Sequence, residues 1–150
     1  MDNEKTIDVL NNLIQINNDR IEGYETAAKE TEEGDLKTLF YDFQQTSEKA
    51  KAALITEVHN LGGEPIEGTR ITGKFFRVWM DVKAALSGKD RKVILDSCDY
   101  GEDVAKKNYE DTLNNNDEHL TMGQKSMLRE QHLLLKADHD KVKSLREVLV

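Results

Sequence analysis

The stretch Leu61-Gly62-Gly63-Glu64-Pro65 holds the only proline of the chain and its only pair of adjacent glycines. A glycine just past a helix end takes the left-handed cap conformation without steric cost, and a proline soon after cannot continue the helix. This is the firmest helix stop in the sequence. Two long helical patterns precede it, and the rest of the chain follows.

The first pattern runs from about Lys5 to Thr31, with Ile7, Leu10, Leu13, Ile14, Ile21, Tyr24 and Ala28 at helical spacing. Gly34 ends it, and Asp35 is placed to cap the next helix, which runs from Leu36 to Leu61 on Leu36, Leu39, Phe40, Phe43, Ala50, Leu54 and Val58. So short a link between long helices implies an antiparallel hairpin. After Pro65 comes a loop with Gly68 and Gly73, then a short helix from Phe75 to Leu86 that carries the only tryptophan, Trp79. Asp90 caps the next long helix, which runs to about Leu113 through Ile94, Cys98, Ala105 and Tyr109 and is broken by Asn114-Asn115-Asn116. Thr121 and Gln124 have capping-box spacing, and the last helix carries Leu128, Leu135, Val142, Leu145 and Leu149 to the end. No alternating β pattern occurs. The expectation is one all-α domain over residues 1–150: four helices of about 22–29 residues, or roughly 33–43 Å. The links between them are short, then long with an extra short helix between helices two and three, then short.

With charged residues at 33% and a net charge of -8, the chain suits amphipathic helices with a broad solvated face. The acidic balance and the lack of a basic cluster argue against nucleic acid and anionic membrane as partners. The single cysteine, Cys98, leaves no internal disulfide and reads as a small buried hydrophobe. A polar N-terminus without a secretory pattern, and no apolar run long enough for a membrane span, point to a cytoplasmic protein that could form a homo-oligomer.

The polar residues near the apolar stripes are the candidates for chemistry. Glu25 lies at the edge of the first stripe, while Glu22 points away. Glu102 lies within the third long helix, and His132 and His139 flank the last stripe seven apart. Gly23 and Gly101, in similar local sequences, leave room for another helix to approach closely. The plain reading makes Glu25 and Glu102 boundary glutamates with wet carboxylates, and the histidines core-edge residues bonded to a neighbour. Asn17 is central on its stripe and needs a polar partner across the core. Tyr24, Tyr100 and Tyr109 read as core packing. On the second helix the central positions are Ser47 and Ala50.

The helix end at Leu61-Gly62-Gly63-Glu64-Pro65 resembles the second-helix end of bacterioferritins and related ferritin-like proteins. Together with Ile16-Asn17-Asn18-Asp19, Glu22-Gly23-Tyr24, the run from Trp79 to Leu86, Gly88-Lys89-Asp90 and Gly101-Glu102-Asp103, the chain is similar to a bacterial family of small ferritin-like four-helix bundles described only as a domain of unknown function. The resemblance implies a ferritin-like four-helix bundle with a long crossover. Many such folds hold two metal ions with one Glu from each of two helices and a Glu-x-x-His from each of the others. The resemblance puts the second-helix pair roughly 18 and 15 residues before the proline, where this chain has Ser47 and Ala50. On the last helix the motif falls near Leu135 to Asp138, or Lys136 to His139. The implied function is a non-catalytic bundle with a degenerate metal site and no cofactor. One alternative is an iron- or zinc-binding protein or di-iron-type oxidoreductase with a reduced ligand set of Glu25, Glu102 and His139. Another is a partner- or membrane-surface-binding module using the Phe75–Trp79 segment with Lys74, Arg77 and Lys83.

Overall fold

The computed structural model describes residues 3–67, 74–86 and 88–148, with backbone alone for 74–78. Five α-helices and one 3-10 turn make up its regular structure: α1 (Asn3–Glu30), α2 (Gly34–Asn60), α3 (Lys74–Leu86), α4 (Arg91–Asn115), the turn Asp117–His119, and α5 (Met122–Val148). There is no strand among the described residues. No described helix is long and apolar enough to cross a membrane.

The helix ends follow the local chemistry expected of them, with one exception. Gly62 has φ +80°. The amide of Gly63 donates to the Val58 carbonyl at 3.0 Å and that of Gly62 to His59 at 3.0 Å, the paired bonds of a glycine C-cap. Asp90 caps α4 by accepting from the amides of Lys92 and Val93. At α5, Thr121 Oγ1 accepts from the Gln124 amide at 3.1 Å, and Gln124 Oε1 accepts from the Thr121 amide at 2.8 Å. Asp35 departs from expectation. Gly34 is already helical, Glu33 is the N-cap, and Asp35 sits in the first turn, where its carboxylate is bound by Arg91.

The loop after α2 is fixed to α1. Asn11 Nδ2 donates to the Glu64 carbonyl at 3.1 Å, and its Oδ1 accepts from the Ile66 amide at 3.0 Å. A Cβ on Gly63 would stand 2.7 Å from Ile7 Cδ1, so the second glycine is what lets this loop lie against α1.

The helix directions follow from which residues meet. Arg20 meets Ser47 of α2. Asn17 meets Tyr109, Arg20 meets Glu102 and Tyr24 meets Cys98, so α4 runs opposite to α1. Gln131 meets Tyr109 and His139 meets Asp99, so α5 runs opposite to α4. Gln124 reaches Glu57 and Gln131 reaches Ala50, so α5 also opposes α2. Thus α2 and α4 are parallel, which requires the long α3-bearing link.

One cluster of buried side chains draws on all five helices, among them Leu10, Phe40, Phe43, Leu54, Leu95 and Leu128. Each such large apolar side chain contributes about 1.5–3 kcal/mol by leaving water. Along α1 the buried positions Thr6, Leu10, Leu13, Asn17, Arg20, Tyr24 and Ala27 recur in steps of four and three, the seam of a helix packed among antiparallel neighbours. Because α2, α3 and α4 all touch α1, every residue from Leu13 to Arg20 is buried, while Ile21, placed on the stripe by periodicity, is half-buried.

Helix α3 buries Trp79, Val82 and Leu86, and the indole makes a close fit. Trp79 is buried against Tyr24, edge-on with centroids 5.5 Å apart. A Cβ on Gly23 would come within 2.6 Å of Trp79 Nε1, and one on Gly101 within 2.8 Å of its ring. The two glycines form the notch that admits the indole. Of the proposed Phe75–Trp79 docking segment, the side chains of Phe75, Phe76, Arg77 and Val78 lie outside the described residues, and Trp79 faces inward.

Candidate functional site

The seam positions at mid-height of the four long helices are polar, and they converge. Arg20 is 0% exposed. Its Nε donates to Glu102 Oε2 at 2.8 Å, and its Nη2 contacts Glu102 Oε1, so the pair is bidentate. Nη2 also reaches Asp138 Oδ2 at 3.2 Å, and Nη1 donates to the Ser47 hydroxyl. One residue from each of α1, α2, α4 and α5 therefore meets at this level. The guanidinium lies 5.4 Å from the Tyr24 ring centroid and 6.0 Å from that of Phe43, within cation–π range.

The electrostatics are those of a closed ion cluster. Burial, the largest single influence, would lower the Arg20 pKa, but Glu102, Tyr24 and Asp138 together outweigh it and hold the guanidinium charged. Burial raises the Asp138 carboxyl, Arg20 pulls it back and Glu102 pushes it up again, leaving it above the usual carboxylate value. Burial also lifts Tyr24 and Cys98 far above their ordinary values. The Tyr24 hydroxyl and Cys98 Sγ are 3.4 Å apart. Cys98 is thus a buried thiol with no tendency to ionise, as its place on the stripe implies.

One turn away lies a second polar layer. Asn17 Nδ2 donates to the Tyr109 hydroxyl at 2.9 Å, and that hydroxyl donates to Gln131 Oε1 at 2.8 Å. Gln131 Nε2 reaches the Ala50 carbonyl at 3.4 Å. Asn17 has the cross-core partner that its position called for. Burial raises the Tyr109 hydroxyl to about 12, so it stays protonated and able to donate.

The residues singled out for metal binding fall in three different settings. Glu25 is exposed, pairs with Lys29 at 3.1 Å, and lines an open surface groove of about 430 Å³ between α1 and α2 with Lys37 and Tyr41. Glu102 is buried and gives both oxygens to Arg20, so it is not a boundary glutamate. His139 is buried, with Nε2 2.7 Å from Asp99 Oδ1, and Asp99 also binds Arg146 at 2.8 Å. His132 pairs with Glu110 at 2.7 Å. Among the described residues no group of three or more His, Cys, Asp or Glu side chains is arranged to hold a metal ion. Tyr100, expected in the core, is 54% exposed.

The residue that sequence reasoning missed is Arg20. A charged side chain is assigned to solvent by default. The signal that would have found it is the four-three seam on α1, which passes through residue 20 and not through Ile21. Asp138, which ends the first of the two last-helix registers given by the resemblance, is the α5 residue that faces the cluster.

These features define an all-helical protein with a buried arginine–carboxylate cluster joining four helices. The chain belongs to the family described as a domain of unknown function (DUF2383), whose model matches residues 5–115. That match ends with the last residue of α4 and includes Arg20, Ser47 and Glu102, while Asp138 and Gln131 lie beyond it. A search of curated proteins gives no match.

Proposed function

We propose that this chain is a non-catalytic, ferritin-like four-helix bundle. In this reading the Arg20 cluster stands where metal enzymes of that form hold their ions. One observation carries it: Ser47, at the second-helix ligand position, binds the guanidinium that Glu102 and Asp138 also bind. The bundle form is supported by the parallel course of α2 and α4 across a long link, which α3 interrupts.

The donor set does not suit a pair of metal ions. Ser47 and Ala50 supply neither carboxylate nor imidazole. Glu102 is spent on Arg20, and a fixed guanidinium repels a cation a few ångströms away. The competing iron or zinc site of Glu25, Glu102 and His139 would need Glu25 to turn in from the surface and Glu102 to release Arg20.

Metal analysis of protein purified without chelator, before and after exposure to Fe(II) or Zn(II), tests this reading. Less than stoichiometric metal is expected after gel filtration. Stoichiometric metal that disappears in Glu102→Gln would overturn it.

A further inference from the structure

Asp19 stands apart from the cluster. It is 2% exposed, and its Oδ2 has no hydrogen-bond partner among the described residues. It lies on α1 one turn before Glu22 and Gly23, which meet Lys83 and Trp79 of α3, and so belongs to the side of α1 that α3 covers. Among the described residues the charged groups acting on it are Glu22 from its own helix and Lys83 from α3, which are paired with each other. α4 meets this interface with Gly101, and its neighbouring Glu102 is turned to Arg20. A carboxylate with one oxygen left without a hydrogen bond among the described residues is thus buried on the side of α1 that meets α3. A charged carboxylate there is far more costly than a neutral one.

We infer that protonation of Asp19 governs the docking of α3 on α1 and α4: the neutral acid holds α3 down, and ionisation loosens it. This goes beyond the reading of the Arg20 cluster and does not depend on it. The physical basis is the burial of Asp19 beside a helix that docks through Trp79 in its glycine notch, with Val82 and Leu86 buried behind it.

Burial, and then the Glu22 carboxylate, push the Asp19 carboxyl from 3.8 to about 7, with Lys83 opposing them. The sign follows from linkage. When α3 lifts, Asp19 meets water and regains its ordinary value. Between that value and the raised one, the opened form has lost a proton that the docked form keeps, so opening grows more favourable as pH rises. Below this window pH has no effect through Asp19, and above about 7 the effect levels off.

Hydrogen exchange of the α3 amides from pH 5 to 8, corrected for intrinsic rates, measures the opening. In the wild-type chain the opening constant should rise about tenfold per pH unit and level off near neutrality. Trp79 emission, from the only tryptophan, should move to the red over the same range. Asp19→Asn should flatten both profiles. Glu22→Gln also removes the ion pair to Lys83 and so changes the opening constant itself, but it should in addition move the levelling point to lower pH. A flat wild-type profile, an Asp19→Asn profile as steep as wild type, or an unmoved levelling point in Glu22→Gln would each overturn the inference.

Discussion

Arg20 and Glu102, 82 residues apart in sequence, form a bidentate ion pair with no solvent exposure on either side chain. Such a pair joins α1 to α4 by a contact that tolerates the loss of neither partner. The attraction between the charges offsets their desolvation only while both are present.

Replacing either member should therefore be severe. Arg20→Met and Glu102→Gln should each cost about 3–5 kcal/mol in chemical denaturation. Replacing Arg20, Glu102 and Asp138 together with apolar residues should cost far less than the sum of the single changes. An additive result would mean that the three side chains do not act as one cluster.

The second polar layer makes a smaller but separate claim. Tyr109→Phe removes the hydroxyl that serves Asn17 and Gln131. It should destabilise the chain by about 1–3 kcal/mol, as buried polar groups lose their partner. Asn17→Leu combined with Tyr109→Phe should recover part of that loss. Thermal melts of the two variants decide the matter.

The notch that seats Trp79 is tested by filling it. A Cβ on Gly23 would lie 2.6 Å from the indole nitrogen. Gly23→Ala should shift α3 outward, move Trp79 emission to the red, and cost about 1–3 kcal/mol by overpacking. Gly34→Ala, where a Cβ would meet nothing within 4 Å, serves as the control and should leave emission unchanged.

Cys98 is fully buried beside Tyr24, with its thiol raised well above the ordinary value by burial and then by Glu102. A thiol reagent at pH 8 should label it only as fast as the chain opens. Labelling should become immediate in denaturant. Rapid labelling of the folded chain would show that α4 does not pack as described.

The helices and most of their caps were legible in the sequence because they rest on local chemistry: Gly62 past α2, Asp90 before α4, Thr121 with Gln124 before α5. The inward direction of Ser47 and Ala50 was legible too, since helical phase fixes azimuth. The cluster was not. Periodicity weighs apolar residues and passes over an arginine that is buried only because Glu102 and Asp138 arrive from helices far along the chain. The burial of Asp19 was hidden for a related reason, since the stretch of α1 from Leu13 to Arg20 is enclosed by its neighbours and keeps no wet face. Glu25 lies at the edge of the stripe, where a small rotation decides between core and solvent, and its carboxylate is exposed beside Lys29, as the plain reading has it.

The central claim is that the Arg20 guanidinium is the cation of the core, and NMR of its Nε–H group tests this most directly. One arginine Nε–H signal should exchange slowly with water, disappear in Glu102→Gln, and be unaffected by added Co(II). Fast exchange of every arginine Nε–H, or selective broadening of the Glu102 signals by Co(II), would contradict it.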